Sequence, residues 1–242
     1  MSISTKTPTA ADVAGYLDAV RGLDATGILK WADATFGDKL VFATSLGVED
    51  QALTYLLQRE KLQTRIFTLD TGRLFNETYH LIDATEMKYH LKIQIYFPDR
   101  DAVETMVQEK GVNLFLDSVE NRKQCCGVRK IVPLKRALSG NHAWITGLRA
   151  SQSVTRTALE PVEWDAGNNM VKINPLYAWT EEETWDLVRT NKVPYNKLHD
   201  QGFLSIGCAS CTRAVKAGED VRAGRWWWEN PEHKECGLHS KP

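Results

Sequence analysis

The stretch KLVFATSLGVEDQALTYLLQRE, residues 39–60, decides the fold class. It opens with a short apolar run, KLVFAT (39–44), of the kind a buried strand shows, and breaks at Ser45-Leu46-Gly47. It continues as VEDQALTYLLQRE, which reads as a helix. Working outward, the same strand-then-helix unit recurs. TRIFTL (64–69) ends at Asp70-Thr71-Gly72 and leads into a helical stretch of about 74–90. KIQIYF (92–97) stops at Pro98 before a helix from about 99 to 110, and HAWIT (142–146) ends at Gly147. Upstream, residues 10–36 read as helical, with apolar positions at Val13, Tyr16, Leu17 and Val20, then at Ile28, Leu29 and Trp31, broken around Gly22. Strands alternating with helices predict an α/β fold, a mainly parallel sheet flanked by helices on both faces. Ligands of such sheets sit beyond the carboxyl ends of the strands. Ser45, Asp70 and Gly147-Leu148-Arg149 fall there.

The chain of 242 residues carries 30 Lys+Arg against 31 Asp+Glu, a net charge of −1, with 43% hydrophobic and 25% charged residues. That balance excludes intrinsic disorder, and the missing basic footprint argues against nucleic-acid binding. No apolar run reaches the length of a membrane span, and the first twenty residues lack a basic region followed by an apolar one. A soluble, cytoplasmic protein is expected. The chain divides into an N-terminal helical segment (1–36), a nucleotide-binding α/β domain (37–200) and a C-terminal segment (201–242) that reads as a mobile tail rather than a separate core. Neither G-x-G-x-x-G nor G-x-x-x-x-G-K-[ST] is present. The S-L-G turn is a weaker signal: it can present backbone N–H groups to an anion, but it is also a common turn.

Five cysteines carry more information: Cys125, Cys126, Cys208, Cys211 and Cys236. An odd number makes a poor disulfide framework, and they divide into an adjacent pair, a C-x-x-C and a singleton. Four plus one suggests a four-ligand metal site and a separate thiol. Structural zinc prefers two separated C-x-x-C knuckles, whereas a cubane offers separate irons to neighbouring thiolates, so one [4Fe–4S] cluster per chain is expected ahead of zinc or buried free thiols. NRKQCCGVRKIVPLKR (121–136) carries six cations and no acid, which suits a core of net charge −2. Lys130, one helical turn from Cys126, is the cation expected to face that core or an anionic substrate; a solvated helix face is the bland alternative for such a run. Cys236, in K-E-C-G-L-H (234–239), has Lys234 and His239 nearby and Gly237 beside it, which suits a nucleophile; a stray surface thiol would show the same pattern. His239 would favour the thiolate or hydrogen-bond locally. Arg149, Arg156, Arg222 and Arg225 stand near glycines or strand ends, where guanidinium forks suit phosphate and sulfate oxygens.

On these residues the chain resembles the assimilatory adenylyl-sulfate reductases, the iron–sulfur branch of the phosphosulfate reductases. The matching motifs run from about residue 40 onward: LDTGRLFNETY (69–79), KQCCGVRK (123–130), TGLR (146–149), VPYNKLHDQG (193–202), SIGCASCTR (205–213), RAGRWWWE (222–229) and KECGLH (234–239). The resemblance implies the adenine nucleotide alpha hydrolase-like (ATP-pyrophosphatase-like) fold. The S-L-G turn departs from the fuller S-G-G-x-D-S loop of those relatives, which argues against a tRNA-thiolating enzyme on the same fold. It implies attack by Cys236 on the sulfur of adenylyl sulfate, release of AMP, and resolution of the adduct to sulfite by thioredoxin or glutaredoxin, within assimilatory sulfate reduction. Cys125, Cys126, Cys208 and Cys211 would hold the cluster. Arg149, Arg222, Arg225 and Lys130 would bind the phosphosulfate, while Ser45, Asp70, Thr71, Gly72, Arg73 and Gly147 shape the nucleotide pocket and His239 supports the substrate. A homo-oligomer is expected. Use of 3′-phosphoadenylyl sulfate, alone or as well, is the runner-up; relatives restricted to that substrate typically keep KECGLH but lack the four other cysteines.

Overall fold

The computed structural model describes residues 7–152 and 159–230. The strands expected at 39–44, 64–69, 92–97 and 142–146 form as β1 (Leu40–Ala43), β2 (Arg65–Leu69), β3 (Ile93–Tyr96) and β4 (Ala143–Ile145). Two more, β5 (Val162–Asp165) and β6 (Met170–Ile173), complete a six-stranded sheet in the order β3-β2-β1-β4-β6-β5. β1 pairs in parallel with both β2 and β4, β4 pairs in parallel with β6, and only β5 runs antiparallel, against β6. The helices are α1 (Val13–Val20), α2 (Ala25–Phe36), α3 (Val48–Arg59), α4 (Asn76–Tyr89), α5 (Arg100–Lys110), α6 (Val119–Cys126), α7 (Val132–Leu138) and α8 (Glu181–Thr190). Residues Gly127–Ile131, between α6 and α7, form a π-helical turn.

Local chemistry starts several of these helices. Asp24 accepts from Gly27 N at 2.7 Å, Asp99 from Ala102 N at 2.9 Å and Ser118 from Asn121 N at 3.1 Å, each satisfying an amide that the first turn leaves open. The chain lays down β1, β2 and β3 outward on one side, then returns to place β4 on the other flank of β1. The order therefore reverses between β1 and β4, and that switch point is where an α/β sheet opens a crevice at its carboxyl edge. The loops leaving β1 and β4 carry Ser45–Gly47 and Gly147–Arg149.

The chain folds as two compact units, each assembled from separated stretches. The first contains residues 1–68, 81–94 and 138–196. Its core is the central strands, with Leu40, Val41, Phe42, Ala143, Trp144 and Ile145 each at most 1% exposed, packed with Ile28, Leu29, Leu53 and Leu57 from the helices. The second contains residues 69–80, 95–137 and 197–242. Its core joins Met106, Leu114, Phe115 and Trp226 to the four cysteines Cys125, Cys126, Cys208 and Cys211. The consecutive segments expected from sequence, 1–36, 37–200 and 201–242, are cut across by these units. The reason is that Cys208, Cys211 and Trp226 share one apolar core with Met106, Leu114, Phe115, Cys125 and Cys126 from far upstream.

Candidate functional site

In the first unit the turn after β1 is built round a carboxylate. The amide and the hydroxyl of Ser45 both donate to Asp50 Oδ2, at 2.6 Å each. Leu46 takes a left-handed backbone (φ 61°), its amide donating to Thr44 Oγ1 at 3.0 Å. Asp50 lies in the first turn of α3 and is buried. Burial pushes its carboxyl up to about 7, against the opposing hydrogen bonds from Ser45, with the charge of Glu49 adding to the rise and the Gly147 amide holding it down. Gly147 is required here: a Cβ on it would stand 2.1 Å from Asp50 Oδ1. Arg149, 4% exposed, gives Nε and Nη2 to Glu49 Oε1 at 3.0 and 2.8 Å, and Nη1 to Ser151 Oγ at 2.6 Å. Ser45, Gly147 and Arg149 thus stand on the two loops of the switch point, Ser45 and Arg149 bonded to adjacent acids of α3.

In the second unit the loop after β2 adjoins the cysteines. Asp70 is buried, accepting from Gly72 N at 2.7 Å and, on both oxygens, from Tyr79 OH at 3.0 Å. Burial first, then the Asp70 carboxylate, push the Tyr79 hydroxyl up to about 12. Gly72 has φ 69°, which favours glycine. Thr71 Oγ1 lies 3.3 Å from Cys208 Sγ, and Thr71 O accepts from Arg129 Nη1 at 2.7 Å. The Arg73 guanidinium is bonded to Val112 O and stacks 5.1 Å over the Phe115 ring.

Cys125, Cys126, Cys208 and Cys211 are 7–8% exposed and line one pocket together with Arg73, Arg122, Arg129, Lys130, Arg225 and Trp226. Burial raises the Cys125 and Cys211 thiols, for Cys125 against the pull of Arg129 and for Cys211 with Cys208 adding to the rise. For Cys208 burial also acts upward, but Lys130, the Thr71 hydroxyl, Arg225 and Arg129 outweigh it and hold the thiol below its usual range. The Cys208–Cys211 turn is tied by Cys211 N to Cys208 O at 2.9 Å and by Thr212 Oγ1 to the same carbonyl at 2.9 Å. Gly207 lets Arg225 pass close, since a Cβ there would lie 2.3 Å from Arg225 Nη2.

The structure therefore gathers Thr71, Arg73, Lys130, Arg225 and the four cysteines in one place. Arg222 is a half-buried neighbour whose amide bonds Asp220 Oδ1 at 2.8 Å; it is not among the residues lining the cysteine pocket. Arg156, Cys236 and His239 lie outside the described residues. Sequence reasoning passed over Asp50, Tyr79 and Glu229, and took Arg122 and Arg129 only as members of the basic run and Trp226 only as part of the tryptophan run. For Arg122 and Arg129 a signal existed, their i,i+3 and i,i+4 spacing to the cysteines; for Glu229 there was none.

Two observations bear on what the quartet could hold. Among the described residues no three His, Cys, Asp or Glu side chains converge as ligands of a single metal ion. Arg129 Nε and Trp226 Nε1 are buried without a hydrogen-bond partner, and both residues line the cysteine pocket. A sulfide-bearing cluster, larger than one ion and rich in acceptors, fits that donor set.

Comparison with known proteins follows the same lines. The family described as "Phosphoadenosine phosphosulfate reductase domain" matches residues 39–214. A protein of Allochromatium vinosum named adenosine 5′-phosphosulfate reductase is 59% identical over 204 residues, covering 84% of this chain and 80% of that one. Proteins of the same name from Neisseria meningitidis serogroup B and Agrobacterium fabrum are 52% and 46% identical, covering 82% and 96% of this chain and 81% and 89% of their own. Among solved structures, a phosphoadenylyl-sulfate reductase from Candida auris in a phosphate complex superimposes with a TM-score of 0.73 at 27% identity, over 89% of this chain and 99% of that one. The FMN adenylyltransferase of Candida glabrata, at TM-score 0.54 and 17% identity over 97% of this chain and 78% of its own, shares the fold.

Proposed function

The chain belongs to the phosphoadenosine phosphosulfate reductase family and reduces adenosine 5′-phosphosulfate in sulfate assimilation, and we propose that it does so through a covalent adduct on Cys236. The thiolate attacks the sulfate sulfur, the sulfur–oxygen bond to AMP breaks with its electron pair leaving on AMP, and a cysteine S-sulfonate remains. A thioredoxin or glutaredoxin thiolate then attacks the Cys236 sulfur, sulfite departs, and the second thiol of that reductant resolves the mixed disulfide. Both electrons come from the external dithiol, which ends as a disulfide.

AMP is a good leaving group, so the protein's task is to place the thiolate and to offset negative charge. The proposed substrate-binding residues are Ser45, Asp70, Thr71, Gly72, Arg73, Lys130, Gly147, Arg149, Arg222, Arg225 and His239, the last outside the described residues. Arg149 would have to share or exchange its Glu49 partner to meet an anion. Cys125, Cys126, Cys208 and Cys211 would hold one [4Fe–4S] group, with Arg129, Lys130 and Arg225 offsetting its charge. When bound, that group would supply a fixed local charge rather than electrons.

The observation that carries this reading is the four buried cysteines lining one cation-rich pocket, in a chain 59% identical to a protein named adenosine 5′-phosphosulfate reductase. The test is sulfite release from adenylyl sulfate with reduced thioredoxin, run beside 3′-phosphoadenylyl sulfate to expose dual use. Cys236→Ser should keep nucleotide binding and visible colour yet lose essentially all sulfite production. Normal turnover by that variant would sink the covalent route.

A further inference from the structure

The cysteine quartet is assembled from two pairs far apart in sequence, and one ion pair spans them. Arg122 lies on α6 three and four residues before Cys125 and Cys126, hence on their face of the helix. Its guanidinium is fully buried and interacts with the Cys126 sulfur by charge and hydrogen bond. The same fork gives Nε to Glu229 Oε1 at 2.9 Å and Nη2 to Glu229 Oε2 at 2.7 Å, a bidentate pair in which the carboxylate is 3% exposed. Glu229 belongs to a tight turn, its amide donating to Trp226 O at 2.9 Å, and Trp226 N donates to Cys211 O at 3.2 Å. The Trp226 ring is flanked by Arg122 at 4.8 Å and Arg225 at 4.7 Å.

A continuous path therefore runs from Cys126 through Arg122, Glu229 and Trp226 to Cys211. We propose that the Arg122–Glu229 pair is the tie that fixes the spacing of the Cys125–Cys126 pair against the Cys208–Cys211 turn, making both members positioning residues for the metal–sulfur group. Its charges cancel, so Arg122 is not one of the cations that offset an anionic core; what it contributes is the geometry of a planar fork with three acceptors around it. This rests on the cluster reading above.

The experiment uses iron-loaded protein in four forms: wild type, Glu229→Gln, Arg122→Lys and the double variant Arg122→Met/Glu229→Met. Iron per chain, the visible absorption band and the rate of iron transfer to a chelator at 25 °C are measured, with far-UV circular dichroism confirming the fold. A buried ion pair replaced by apolar side chains of similar volume commonly leaves a protein folded, so the double variant separates the tie from plain stability. All three variants should release iron at least tenfold faster than wild type, with an altered visible band, while remaining folded at that temperature. A double variant that holds iron as wild type does would reduce the pair to packing and overturn the tie. Glu229→Gln and Arg122→Lys variants that release iron at the wild-type rate would do the same. Wild-type protein without iron or a visible band overturns the cluster reading itself, and this inference with it.

Discussion

Asp50 sits in an environment that its neighbours in sequence do not suggest. Its carboxyl moves from an ordinary 3.8 to about 7 because burial outweighs the donors of Ser45 and Gly147. The folded chain thus binds this proton more tightly than the unfolded chain. The stabilising contribution is fully present below about pH 4 and is lost as pH rises toward 7, at up to about 1.4 kcal/mol per pH unit. Asp50→Asn should flatten that slope, so urea midpoints of wild type and variant, compared at pH 5 and pH 7, should converge at the lower pH and separate at the higher; parallel curves would refute it. Gly147→Ala drives a methyl into the same carboxylate and should destabilise by about 1–3 kcal/mol while weakening AMP binding at least tenfold. Calorimetric titration with AMP checks the second effect, and unchanged affinity would free Gly147 of that role. None of this was legible in V-E-D: an acid early in a helix is ordinary, and only the return of the Gly147 loop, far along the chain, shuts it in. The cysteines were different. Their residue type and spacing pointed to four sulfurs meeting, and all four line one pocket.

At the scale of elements, β1 and β4 were read directly because they are buried on both faces, where an apolar run is all the sequence needs to show. β2 and the edge strand β3 were read because their isoleucine-bearing runs end at turn residues. β5 and β6 were missed because V-E-W-D and M-V-K-I mix charge with apolar residues, and neither makes an apolar run. The basic run 121–136, in which Lys130 was placed one helical turn from Cys126, falls on α6 and α7 joined by the π turn Gly127–Ile131, a feature that helical periodicity conceals. That turn changes which side chains follow the cysteines: Arg129 and Lys130, adjacent in sequence, both reach the pocket. Deleting Val128 should convert the turn to regular α-helix and rotate the downstream side chains by about 100°. Such a variant should lose most of its iron while its β-sheet signal in circular dichroism persists. Full iron content would show that the wider turn has no part in the site.

At the scale of the whole molecule, each unit has its own core, one of aliphatic strands and helices, the other centred on sulfur, Phe115 and Trp226. If the second is held by what its cysteines bind, binding energy becomes folding energy for that unit. Removing iron with a chelator should therefore speed amide hydrogen exchange at residues 206–229 at least tenfold and leave the β1, β4 and β6 amides protected. Uniform loosening, or none, would separate the second core from the metal. The α/β class and four of the six strands were readable in advance, but the strand order and the division into units were not, since both depend on contacts between stretches far apart in the chain. That interleaving bears on biosynthesis. About a third of the chain separates Cys126 from Cys208, so the first cysteine pair leaves the ribosome long before its partners exist. Every stretch of the first unit has been translated by residue 196, and it can settle while synthesis continues. The sulfur core must wait, and closing so long a loop carries an entropic cost that later contacts offset. On the cluster reading, cofactor delivery would be a late event, made on a partly folded polypeptide, and a translation that stalls before Cys211 would leave Cys125 and Cys126 without their partner thiols.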